Sequence, residues 1–310
     1  MEDIDKIPFY KERTIGERMT AALDFLRDNW GVMFRMAIYM LLPLSIVQAV
    51  SMNSFFGAYM GLLFLGMEGT GMDGELAMIM RFLGSYGIMM LCFLLGSILL
   101  QAFSFTMVQV YNERENGLEG VMFSSIWPKM WHNIKRVLKS TLVMVGLIIV
   151  GGVLSFVNPI AFILFIPAII VMSIPMLLFP CIYSFEDIKM KEAASRAIRL
   201  GFGTWAGLFI INMVVGFVMN IIEQVVAVPW GIATFFVMIF TEVDDAPEWA
   251  IITARVFSFL FGVLMMFVTY IAMMIQPLAT SEFLTSAPGL YFAGGKSSTL
   301  EYTPGYSTKK

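Results

Sequence analysis

TLVMVGLIIVGGVLSFVNPIAFILFIPAIIVMSIPMLLFPCIYSF, residues 141–185, carries no charged side chain and one internal break signal, the pair Asn158 and Pro159. A helix rises about 1.5 Å per residue, and a hydrocarbon core of about 30 Å takes about 20 residues to cross. The block is therefore twice the length of one crossing. Asn followed by Pro favours a turn, so the stretch reads as two membrane helices in a tight hairpin. Continuous apolar runs of this kind are helical spans rather than the alternating strands of a membrane barrel.

Working outward, further uncharged runs of crossing length appear on both sides. Span one covers about 31–56 within an uncharged run at 36–67, and span two covers about 82–110. The hairpin supplies spans three and four. Span five is placed at about 203–222 and span six at about 256–280. Residues 225–240, VVAVPWGIATFFVMIF, are apolar but too short for a crossing and carry Pro229 and Gly231. They read as an extension of span five or as a segment lying at the outer interface.

Composition agrees. Of 310 residues, 58% are apolar and 14% charged, with a mean hydropathy of +0.79, where soluble domains run near a quarter charged. One histidine and two cysteines exclude a multi-ligand His/Cys metal site and a disulfide framework. A net charge of -3 argues against a nucleic-acid surface. The expected architecture is an all-α polytopic bundle with a cytoplasmic N-terminal segment at 1–30, a six-span domain at 31–285 and a disordered cytoplasmic tail at 286–310, rich in Gly, Ser, Thr and Pro.

The twenty basic residues set the orientation. Six lie at or before Arg35, five between 111 and 140, four between 184 and 202 and three in the tail, leaving Arg81 and Arg255 for the other side. The positive-inside rule places both termini in the cytoplasm of a bacterial cell. The first thirty residues are charged and span one is longer than a signal-peptide core, so span one reads as an uncleaved anchor.

Two amphipathic segments precede spans one and five. In the first, Ile15, Met19, Leu23, Leu26 and Trp30 recur at helical spacing, with Thr14 and Glu17 matching a capping box. In the second, Ser184 and Asp187 stand as start signals ahead of Ile188, Ala194, Ile198 and Gly201. Such helices lie in the headgroup plane with their cations near anionic lipid. Ala21, Ala22, Leu26, Arg27, Trp30 and Gly31 fall on Ala193, Ala194, Ile198, Arg199, Phe202 and Gly203 at an offset of 172. A third segment, with Trp127, Trp131, Ile134, Arg136 and Leu138, precedes span three. Three units, each an interfacial helix followed by a hairpin, are the economical reading.

Pro180, Tyr183, Glu186, Glu192, Ala193, Arg196, Leu200 and Gly201, ahead of span five, resemble a signature of bacterial multi-pass proteins related to the membrane domain of glycerophosphoryl diester phosphodiesterases. The serine that usually follows the signature's arginine is Ala197 here. The resemblance implies a six-helix membrane module. It implies no hydrolase activity, because the soluble catalytic barrel of some relatives has no counterpart and one histidine cannot supply its catalytic set.

Among single residues, Glu186 and Arg196 are the candidates for a site on the cytoplasmic face. Arg27 and Arg199, related by the repeat, are candidates for lipid phosphates or partner contacts. Glu223, an acid bordering a span, reads as an interfacial ion pair with Arg255 or a solvated edge, or as a substrate or proton site. Pro167, Pro175 and Pro180 mark helix kinks, which transporters use and ordinary spans also tolerate. Gln109, Asn212 and Gln276 either line a cavity or tie helices together. Cys92 and Cys181 read as inert thiols and His132 as an interface residue. Twenty-seven scattered methionines are flexible filler rather than a copper(I) site. The expectation is a non-enzymatic membrane protein without metal or cofactor, whose partners are membrane lipids and possible proteins at the cytoplasmic loops. A small-solute or lipid transporter with a kinked fourth helix is the alternative.

Overall fold

The computed structural model describes residues 15–68, 72–242 and 246–286. Among these residues there are nine helices and no strand: α1 (Ile15–Asp28), α2 (Trp30–Glu68), α3 (Met72–Glu113), α4 (Phe123–Val157), α5 (Pro159–Phe185), α6 (Met190–Gly203), α7 (Trp205–Glu242), α8 (Glu248–Met273) and α9 (Ile275–Ser286). Six spans are long and apolar enough to cross a membrane, the last running from α8 into α9. Large apolar residues such as Leu154, Phe156, Ile163 and Leu164 face outward. In water that pattern is costly, whereas in lipid it is the solvated surface. The chain is a multi-pass helical membrane protein.

The hairpin of α4 and α5 turns where the sequence places it. The Asn158 N–H donates to the Leu154 carbonyl at 3.2 Å, its backbone is extended, and Pro159 opens α5, where a missing N–H costs nothing. Of the two readings of residues 225–240, the extension of span five holds: α7 continues through Pro229 to Glu242, because a break in apolar surroundings strands backbone groups that have no water to bind. Several other expectations are corrected. The basic segment before span three is not a separate helix; it is the first half of α4. Helix α6 starts at Met190 behind Lys189, with no side-chain cap. Ser184 lies in the last turn of α5 instead, and Asp187 is engaged elsewhere. Span six begins at Glu248 and is interrupted at Met274. Thr14, residues 1–13 and most of the expected tail, 287–310, lie outside the described residues.

The two segments matched at an offset of 172, α1 and α6, agree at two different spacings. Helices α1 and α6 end in the same device: the Asn29 side chain donates to the Phe25 carbonyl at 2.9 Å, and the Thr204 hydroxyl donates to that of Leu200 at 2.7 Å. Each is followed by a tryptophan, Trp30 or Trp205, that opens the next helix. Those tryptophans are 175 positions apart (205 minus 30), not 172. The buried stripes, Ala21 and Phe25 against Ala193 and Ala197, keep the spacing of 172. Thus α6 runs almost one turn further past its stripe, and that turn holds Gly201.

Contacts divide the chain into two compact units. The first is drawn from Met1–Trp30, Phe103–Met213 and Gln276–Lys310, of which 15–30, 103–213 and 276–286 are described. Its core holds Phe103, Phe105 and Met107 of α3, Ile126, Met130 and Val137 of α4, and Ile174, Leu178 and Ile182 of α5. Gln276 donates to Asn212 at 2.8 Å, so this polar pair ties α9 to α7.

The second unit comprises Gly31–Ala102 and Val214–Ile275. Asn53 accepts from the Trp230 indole at 2.9 Å and from the Ser258 hydroxyl at 3.2 Å, while Thr234 and Ser258 share a bond of 2.9 Å. Such ties bind polar groups to one another where apolar surroundings offer little else. Phe55 lies against Phe82 and Tyr86, with ring centroids 5.5 and 5.8 Å away. Gly96 has no room for a side chain because the Tyr270 ring occupies the place.

Candidate functional site

The site lies in the first unit, around the short connection from α5 to α6. That connection is irregular, and its backbone groups find partners locally: the Glu186 N–H donates to Ile182 at 2.9 Å and that of Ile188 to Glu186 at 2.8 Å. The Glu186 side chain is buried, 8% exposed, and pairs with Arg196, which is 47% exposed. Burial pushes the Glu186 carboxyl above the ordinary glutamate range, against the opposing pull of the Arg196 charge and hydrogen bond. The two residues that the sequence singles out are therefore brought together, the acid inside and the cation at the rim.

Helix α6 approaches closely because its inward face is Ala193, Ala197 and Gly201. A methyl at Gly201 would stand 2.7 Å from the Pro175 Cγ and 2.8 Å from its nitrogen. Pro175 also lacks the N–H that would bond the carbonyl of Val171. The indole of Trp205 supplies the missing donor at 3.1 Å. Pro175 and Pro180 are buried and Pro167 is exposed, all three within one uninterrupted helix.

A second set of residues clamps the connection from α3 and α4; sequence reasoning offered Gln109 as a helix tie and His132 as an interface residue, but missed the roles of Arg136 and Asn133. Arg136, 11% exposed, pairs with Asp187, donates to the Ile188 carbonyl at 2.9 Å and lies 4.3 Å over the Tyr183 ring. One planar guanidinium satisfies a carboxylate, a carbonyl and an aromatic face, which a lysine could not do. His132 stands 3.4 Å from the same guanidinium. Buried Asn133 donates to Thr106 and to Gln109, each at 2.9 Å. Gln109 in turn donates to the Ser184 carbonyl at 2.9 Å. The available signal was Asn133 itself, a polar residue on the stripe of Ile126, Met130, Ile134 and Val137.

The remaining candidates are scattered. Arg27 is 73% exposed and bonds Asp24 and Asp28 within α1, each at 3.1 Å. Arg199 is exposed on α6, together with Lys191 and, just before the helix, Lys189. In the second unit Glu223 and Arg255 are both exposed, and no ion pair among the described residues joins them. A groove between α7 and α8 is lined by Pro229, Phe236 and Phe240 of α7 and by Trp249, Thr253 and Phe261 of α8, and neither Glu223 nor Arg255 is among its lining residues.

No protein-family model matches this chain, no curated protein matches it, and no solved structure does.

Proposed function

We propose that this is a non-enzymatic protein of the bacterial cytoplasmic membrane that holds anionic lipid at its cytoplasmic face and organises the membrane, or a larger complex, around it. Both termini lie in the cytoplasm in this reading. The observation that carries it is the presentation of α6. Its small-residue face is buried on α5, the Glu186–Arg196 pair and the Arg136 clamp fix its entry, and Lys189, Lys191 and Arg199 are exposed. A basic helix held at a membrane surface attracts anionic headgroups by about 1 kcal/mol per cation. The charge asymmetry of the loops and the resemblance over Pro180 to Gly201 support the same placement. Transport draws less support, since the carbonyl left over by Pro175 is already bonded to Trp205.

Native mass spectrometry of the protein released from mixed phosphatidylglycerol and phosphatidylethanolamine bilayers tests the proposal. Enrichment of phosphatidylglycerol is expected, and it should fall in a variant carrying Arg27→Glu, Lys189→Glu and Arg199→Glu. Unchanged enrichment in that variant overturns it. Arg196 is left intact because its loss would release buried Glu186.

A further inference from the structure

Helices α4, α5 and α6 enclose a cleft of about 240 Å³. Its walls are Met144 and Leu147 of α4, Met172, Met176 and Phe179 of α5, and Ala194 of α6. The one ionisable side chain that lines it is Lys191. We infer that this cleft is a binding site for one anionic glycerophospholipid, with the end of an acyl chain between α4 and α5 and the phosphate held at Lys191. The inference rests on the reading of α6 as the headgroup face and names the ligand class and its seat.

Size excludes the larger occupant. A partner helix is about 10–12 Å across, whereas this volume holds on the order of eight water-sized groups. An acyl chain tip fits; a helix does not. The lining suits a flexible chain, because methionine side chains re-pack around an irregular guest at little cost.

Charge then selects the headgroup. Lys191 is exposed while its stem lines the cleft, the arrangement of a snorkelling lysine whose ammonium sits at the mouth. Lys139 of α4 is also exposed and stands one turn from Val143, another lining residue. No carboxylate lines the cleft. Glu192, the acid beside Lys191, projects about 100° around α6. One lysine at the mouth of an apolar slot, with a second cation one turn along α4 from a lining residue, matches a phosphodiester with a hydrocarbon tail.

The test uses the full chain in the same mixed bilayers and counts lipids that survive stepwise collisional activation. Wild type is expected to keep one phosphatidylglycerol after the others are shed. Ala194→Phe fills the cleft and Lys191→Glu reverses its mouth; each should weaken that last lipid by about tenfold, and Ala194→Phe, which removes no cation, should leave the general phosphatidylglycerol enrichment in place. Lys191 is at the surface, so its variant folds even if the phenylalanine is not tolerated. Equal retention of phosphatidylethanolamine, or an undiminished last lipid in Lys191→Glu, overturns the inference. A wild type that keeps one tight lipid but shows no general enrichment sinks the platform reading alone.

Discussion

The indole N–H of Trp205 donates to the carbonyl of Val171 at 3.1 Å, and Val171 is four residues before Pro175, the proline that leaves that carbonyl without its helical donor. A carbonyl at membrane depth has no water to bind. Trp205→Phe is expected to lower stability by about 1–3 kcal/mol. In the Pro175→Ala background, where the backbone donor returns, the same change should cost markedly less. Thermal unfolding of the four proteins of this cycle in one detergent measures the coupling; additive effects would show that the indole does not serve the proline.

Gly201 is needed for approach rather than for backbone freedom. Gly201→Ala brings a methyl into the Pro175 ring and should destabilise by about 1–3 kcal/mol. Nothing lies within 4 Å of the methyl that Gly203→Ala would add. That control is expected to be neutral or slightly stabilising, since alanine is the better helix former by about 1 kcal/mol. Similar melting temperatures for the two variants would remove the close-approach argument.

Arg136 acts as a clamp on the α5–α6 connection. Arg136→Lys keeps the charge but loses the forked donors and the face that lies over Tyr183. The connection should then open more often, and trypsin should cleave after Lys189 or Lys191 several-fold faster than in wild type. Unaltered cleavage kinetics would place the rigidity elsewhere.

Glu186 provides a pH dependence whose sign follows from its burial. Its carboxyl titrates above the ordinary value of 4.5 in the folded chain. The folded state therefore holds the proton more tightly than the unfolded state. Stability from this group is present below 4.5 and declines as pH rises through the folded value. Glu186→Gln mimics the neutral acid, so it should flatten the stability profile in that window and be at least as stable as wild type near neutrality. A melting profile for Glu186→Gln that keeps the wild-type slope above 4.5 would assign the effect to another group.

How much of this was legible in the chain depends on the range of the physics. The six crossings could be counted because transfer from water to lipid is a property of each residue summed over a local window. The turn at Asn158 and Pro159 is equally local, and so is the amphipathic stripe of α6. Glu186 and Arg196, ten positions apart, were close enough in sequence for their pairing to be sought.

The rest required helices to be placed beside one another. Hydropathy alone could not say whether α7 ends at Glu223 or runs through Pro229 to Glu242, since helix and loop compete through neighbours that satisfy the backbone. The tie from Trp205 to Val171, the seat of Gly201 on Pro175 and the reach of Arg136 to Asp187 and Ile188 all span tens of residues. No local window contains both partners of such a contact. Composition and periodicity determined a bundle of apolar helices with a basic end; only tertiary packing decided which polar groups meet there, because a hydrogen bond or a close approach depends on distances of a few ångströms between separate helices.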